Sequence, residues 1–235
     1  MFKFRSCSSA IALSVKYVRT NVTAQLVKEL REKSGAPMMD CKKALSSPEV
    51  AGNIPKALDW LRTKGIVRAA SNADRQALEG LIAVYIKGNK GTILEVNSET
   101  DFVGRNDRFQ AFVTLIASTI HSKMDSGNIS ISDLLKMNTE HAPAKTIQDA
   151  LGDVIMSIRE NIVIRRAESF KIVEKDDIIA SYVHGKIPIC ADADKSLAAH
   201  YDHIQLGKAG AVVSLQVMSS SSSEELSAVH ETFQG

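Results

Sequence analysis

The sequence predicts an α+β fold: a small N-terminal helical bundle, then sheet segments alternating with helices. Three observations carry this reading. Apolar residues recur at helical spacing through the first part of the chain, the period switches at Leu81 to short β-branched runs, and sheet segments then alternate with helical stripes. With 235 residues and an apolar share of 44%, the chain is long enough to bury a real core.

Residues 1–20, MFKFRSCSSAIALSVKYVRT, carry Lys3, Arg5, Lys16 and Arg19, several serines and no acid. A basic, acid-free, weakly amphipathic leader is what an organellar transit peptide requires; a secretory signal and an untargeted, disordered N-terminus are the alternatives. The apolar run Ala10 to Val15 is too short to span a bilayer.

Residues 21–65 read as a three-helix module. Thr23 caps a first helix with Leu26, Val27 and Leu30 on one face, and Gly35 stops it. Pro37 opens a second helix with Met38, Cys41, Ala44 and Leu45 at helical spacing, and Ser47-Pro48 breaks it. Asn53 caps a third, with Pro55 in its first turn and Ala57, Leu58 and Leu61 on one face as far as Gly65. Residues 66–80 read as a helical, alanine-rich connector ending at Gly80.

Residues 81–177 form the first part of the core. Leu81 to Lys87 and Thr92 to Val96 flank Gly88-Asn89-Lys90-Gly91, a hairpin signal, and their lack of polar alternation predicts burial on both faces. Asn106 caps a helix bearing Phe109, Phe112, Val113, Ile116 and Ile120; a short helix around Ser132 to Lys136 and an amphipathic one from Ile147 to Ile158 follow. Ile162 to Ile172 reads as a strand. Residues 178–235 form a second, partial lobe: strands at Ile178 to Val183, Ile187 to Cys190 and Ala211 to Val217, a serine-rich loop, and a short helix capped by Ser223. No internal repeat is evident.

Composition and motifs exclude several functions. A net charge of +2 supplies no general field for nucleic acid or an anionic membrane. Aromatics are sparse and Trp60 stands alone, which disfavours an RNA-stacking surface. Cys7, Cys41 and Cys190 are far apart with no C-x-x-C pair, so they offer no zinc spacing and suit a reducing compartment. Asn21-Val22-Thr23 and Asn128-Ile129-Ser130 fit the glycosylation pattern, which matters only in a secreted chain. Neither Gly185-Lys186 nor Gly207-Lys208 belongs to a phosphate-cradling loop.

His184, His200 and His203 read as a surface cluster in loops rather than a metal site. Cys41 lies on the apolar face of its helix and reads as a buried thiol, the alternative being a nucleophile with a base brought in by folding. Glu99 and Asp101, two residues apart in an extended segment, share a face without the further groups that acid–base catalysis needs. The chain does not read as an enzyme.

Two stretches carry a family likeness. VKELREKSGAPMMDCKKAL, Val27 to Leu45, closely resembles the N-terminal module of the translation elongation factor Ts family, and ILEVNSETDFVGRNDRF, Ile93 to Phe109, resembles that family's hairpin and T-D-F-V turn. Weaker echoes run in the same order: Leu61-Arg62 with Lys64-Gly65, Arg75 with Glu79-Gly80, Glu160-Asn161-Ile162 with Arg165-Arg166, and Ser181 to Gly185. The basic leader and the likeness of LGKAGAVV, Leu206 to Val213, to the organellar branch point to a mitochondrial, matrix-located form.

The resemblance implies a guanine-nucleotide exchange factor for elongation factor Tu, with a ubiquitin-associated-type three-helix module followed by a core of antiparallel sheet and helices, and no nucleotide site, cofactor or metal of its own. Met38, Met39 and Lys42, with Arg31, occupy the positions that dock on a helix of the partner's G domain. Spacing with Cys41 and Leu45 favours core packing for Met38, whereas Met39 lies off that stripe and is the better docking candidate. Asp101 and Phe102 match the pair that enters the partner near its Mg²⁺ and phosphates. From the residues alone, the favoured reading of Phe102 is a hydrophobic staple on the following helix.

The chain also departs from the family. Ile158-Arg159-Glu160-Asn161 stands where the family has Ile-Gly-Glu-Asn, at a turn expected near the partner's phosphate loop; glycine would suit the left-handed helix stop there. His184 matches a family histidine within a divergent stretch. The chain stops at Gly235, where the family continues, so an incomplete second lobe is expected. The competing reading is a non-catalytic module that binds ubiquitin or another protein surface. Such a module uses Met38-Met39 and has no need of the T-D-F-V hairpin.

Overall fold

The computed structural model describes residues 22–139, 146–172, 178–189 and 195–215. Helices α1 (Ala24–Ser34), α2 (Met38–Ser46) and α3 (Ile54–Asn72) form the N-terminal bundle. Their caps are local. The Thr23 side chain accepts from the Leu26 amide at 3.3 Å, Asn53 from the Lys56 amide at 3.1 Å, and Gly35 ends α1 in the left-handed region at φ 67°. Val27, Leu30, Ala36, Cys41, Ala44, Leu45, Ala57 and Leu61 make the bundle's core.

The third helix does not stop at Gly65. It runs on to Asn72, so the connector expected over residues 66–80 is helical only in its first half, and a strand has begun by Glu79. Gly65 has another use: a Cβ there would lie 2.1 Å from the carbonyl oxygen of Gly152 on α6 (Ile147–Ile158). The missing side chain lets two helix backbones meet. Met156 of α6 completes the bundle's core, and Arg62 Nε donates to both carboxylate oxygens of Asp153 at 3.0 Å.

The core sheet is antiparallel throughout, in the order β3-β4-β2-β1-β6. β1 (Glu79–Lys87) and β2 (Lys90–Ser98) are the expected hairpin, but Lys87 pairs with Lys90, so the turn is only Gly88-Asn89. Gly88 has φ 62° and Asn89 is not left-handed, the φ pattern of a type II′ turn. β3 (Gly127–Asn128), β4 (Val163–Lys171) and β6 (Ile204–Gly207) complete the sheet.

Burial of the hairpin on both faces is observed. On one face, Leu81, Ala83 and Tyr85 join Phe109, Phe112 and Ile116 of α4 (Asp107–Lys123) in the main core, with α5 (Ile131–Lys136) and α6 alongside. On the other, Gly210 packs closely on Ile82 and Val84, bringing in a ribbon of β5 (Ile178–His184) and β7 (Ala209–Leu215).

The second lobe departs most from expectation. Ile187 makes only a single bridge to Leu206, and no strand runs to residue 189; Cys190 lies outside the described residues. Helix α7 (Ala198–Tyr201) and β6 occupy what read as loop. Cys7, the leader, the end of the strand expected to reach Val217, and the helix at Ser223 also lie outside the described residues.

His200 and His203 are not a loose surface cluster. The Tyr85 hydroxyl hydrogen-bonds His200 Nδ1 at 2.9 Å, and the fully buried Tyr85 ring has His121, His200 and His203 at 4.6, 5.8 and 6.1 Å. Among the described residues no helix is long and apolar enough to cross a membrane.

Candidate functional site

Beyond β2, the chain is clamped on both sides of a single 3₁₀ turn, Asp101–Arg105. Thr100 donates its amide to Glu160 Oε2 at 3.0 Å and its hydroxyl to Oε1 at 2.7 Å, while Ser98 Oγ donates to the Thr100 carbonyl at 2.9 Å. Glu99, with its side chain 16% exposed, pairs with Arg75 at 2.8 Å and accepts the Asn161 amide at 2.5 Å. On the far side, Asn106 donates to the Val103 carbonyl at 2.9 Å and Gln110 Nε2 to the Gly104 carbonyl at 3.1 Å.

Within this frame, Val103 turns into the core and Phe102 turns out, 79% exposed. The staple alternative is thereby excluded, because a stapled ring would be buried against α4. Asp101 is exposed beside it. Glu99 and Asp101 do not form a face-sharing pair: the chain leaves extended geometry at Asp101, and Glu99 is spent on Arg75 and Asn161.

Met38 and Met39, at the start of α2, are 53% and 61% exposed, with Lys42 and Arg31 exposed near them in sequence. The core position that spacing favoured for Met38 is not realised, because Met38 is 53% exposed. Fully buried Ala36 belongs to the core at that end, and Met38 stands beyond it.

A relay ties α2 to the ring-bearing turn. At the end of α6, Arg159 adopts the left-handed stop at φ 68° despite not being glycine, and its Nη2 donates to Asp40 Oδ2 at 2.6 Å. The next residue, Glu160, holds Thr100. Arg108, from the first turn of α4, caps the carbonyls at the end of α1, donating to Ser34 at 3.0 Å and Glu32 at 3.4 Å. Met38-Met39 and Asp101-Phe102 thus sit on elements joined through Asp40, Arg159, Glu160 and Thr100.

The remaining predicted residues fall differently. Ile158, the last residue of α6, is half-buried and packs against the main core. His184 is exposed at the end of β5, paired with Ala209 of β7, its carbonyl accepting the Lys208 amide at 2.9 Å. Sequence reasoning missed Asp40, Arg108 and the bridging role of Arg159. The one signal available was arginine at a left-handed stop.

Among the described residues no group of three His, Cys, Asp or Glu side chains could hold a metal ion. Cys41 is buried, its thiol 3.5 Å from the Ala36 carbonyl, and burial pushes its pKa up, which disfavours the nucleophilic thiolate. What this edge can do is present an apolar ring, two thioethers and nearby charges to another protein.

A family model described as elongation factor Ts matches residues 99–230, beginning at the clamp residue Glu99 and including the whole ring-bearing turn. The chain belongs to the elongation factor Ts family. Curated relatives named elongation factor Ts include that of Methylobacterium sp. (strain 4-46), 46% identical over 169 residues, or 71% of this chain and 52% of the relative. That of Sinorhizobium fredii is 45% identical over 163 residues (69% and 50%), and that of Allorhizobium ampelinum 42% over 197 residues (84% and 56%). The chain therefore spans about half the length of the elongation factor Ts relatives it matches.

Proposed function

We propose that this chain is a guanine-nucleotide exchange factor for elongation factor Tu, working in mitochondrial translation elongation through protein contact, without a catalytic group of its own. One observation carries the reading: Phe102 is held 79% exposed on a turn whose flanking residues are hydrogen-bonded on both sides. A large apolar side chain presented on a rigid support is suited to entering another protein, because little ordering entropy remains to be lost on binding. The acid-free basic leader supports the mitochondrial setting.

The chemistry follows from what surrounds a bound nucleoside diphosphate. Mg²⁺ demands a near-octahedral oxygen shell, so shifting the elements that hold it by a fraction of an ångström weakens it, and the phosphates lose their neutralising ion. A ring with a carboxylate beside it supplies both a steric and a charge perturbation. Factor and nucleotide must weaken each other's binding by the same factor, since linkage is reciprocal. No nucleotide site on the factor is required.

A purely adhesive protein-binding module would account for Met38 and Met39 but leaves the clamped ring without a use. The test is release of labelled GDP from mitochondrial elongation factor Tu, with and without the full chain. Acceleration that grows with factor concentration is expected. Unchanged release, with binding to elongation factor Tu intact, would leave the adhesive reading in its place.

A further inference from the structure

We propose that Arg159 is a positioning residue, which locks the docking end of α2 and the Phe102 turn into one frame by bridging Asp40 on one side while its neighbour Glu160 holds Thr100 on the other. This rests on the exchange reading above, but the link itself is a property of the free chain.

Arg159 sits at φ 68°, a conformation that costs every residue except glycine. As a helix stop alone, arginine is the poorer residue. Its side chain, however, spans 119 positions of sequence to reach Asp40 at 2.6 Å, and Asp40 directly follows Met39 in the first turn of α2. The pair is partly sheltered, with side-chain exposures of 49% and 17%, so it is less screened than an open surface pair. Glu160 then makes two hydrogen bonds to Thr100, next to Asp101-Phe102. Two adjacent residues therefore connect both contact patches.

Other contacts hold the bundle to the core independently: Arg62 to Asp153, Arg108 to the end of α1, and the Gly65–Gly152 approach. Removing the Arg159 side chain consequently frees the first turn of α2 without detaching the bundle. A patch whose orientation has to be found anew at each encounter binds more weakly, because the ordering entropy is lost on binding rather than on folding.

The test compares the 235-residue chain with Arg159→Gly, Arg159→Lys, Asp40→Asn and the double variant Arg159→Gly/Asp40→Asn. Arg159→Gly relieves the backbone strain while deleting the bridge, so its Tm should equal or exceed the wild-type value. Its half-saturating concentration in GDP release from elongation factor Tu should nevertheless rise by about two- to fivefold, the scale of a partly exposed ion pair, with a smaller change in the saturating rate. Asp40→Asn should match it, the double variant should add nothing further, and Arg159→Lys should recover part of the loss. Wild-type half-saturation in Arg159→Gly, or additive effects of the two single changes, would overturn the proposal. If the wild-type chain does not accelerate release at all, the exchange reading fails separately, and amide hydrogen exchange decides the link. Protection of Asp40 to Lys43 should fall in Arg159→Gly, and unchanged protection would refute it.

Discussion

Replacing Phe102 by alanine separates folding from function more cleanly than any other change at this edge. The ring is 79% exposed, so little of its burial belongs to the monomer, and Tm should move by no more than roughly 1–2 °C, as for a surface substitution. Fully burying a phenylalanine is worth about 1.5–3 kcal/mol. The exposed fraction available to a partner is then worth about 1.2–2.4 kcal/mol, roughly a seven- to fiftyfold change at about 1.4 kcal/mol per decade. Release of labelled GDP from elongation factor Tu at a fixed, subsaturating factor concentration reads this directly. Phe102→Leu keeps much of the apolar volume and should fall between wild type and alanine. A folded Phe102→Ala chain that accelerates release as well as wild type would refute the role of the ring. A large drop in Tm would show instead that the ring supports its own turn.

Three further outcomes test the fold beneath the site. Gly65→Ala gains about 1 kcal/mol of helix propensity but places a methyl 2.1 Å from the Gly152 carbonyl; it should lose at least about 1–3 kcal/mol net in denaturant unfolding, and equal or greater stability would disprove the close approach of α3 and α6. In a Cys7→Ser/Cys190→Ser background, Cys41 should be alkylated far more slowly in the native than in the denatured chain, because burial keeps its thiol protonated; matching rates would contradict the burial. Burial, then the charges of Lys90 and Lys87 and the neighbouring His200 and His203, lower the His121 pKa to about 4, and its Nδ1 has no hydrogen-bond partner. The unfolded chain therefore binds a proton that the folded chain refuses: this stability is complete above about pH 6.5 and drains away as pH falls toward 4. Across that window Tm should fall less steeply for His121→Asn than for wild type, and parallel curves would count against the histidine.

Much of the architecture was legible because it is governed by neighbours a few residues away. Thr23, Asn53 and Asn106 each accept an amide within three positions, Gly35 takes the left-handed stop, and Gly88-Asn89 closes the hairpin. The run of apolar residues through β1 and β2 correctly indicated burial on both faces, since covering either face requires apolar side chains there. Local signals misled where a residue served a distant partner. Gly65 resembles a helix stop but admits another backbone, and the histidines near position 200 look like loop residues but surround Tyr85. β6 is four residues long and becomes a strand only by pairing with β1.

The sequence by itself determined that helices precede a hairpin and further sheet segments, where most of the helices begin and end, and that a threonine–aspartate–phenylalanine turn follows the second strand. Only the tertiary structure decided that Val103 goes inward while Phe102 goes outward, that Met38 is exposed, and that Arg159 and Glu160 join Asp40 to Thr100. Helical and strand periods, caps and turns act within a few residues and leave a readable pattern. Exposure and orientation depend on groups 60 and 119 positions away, which no local pattern encodes.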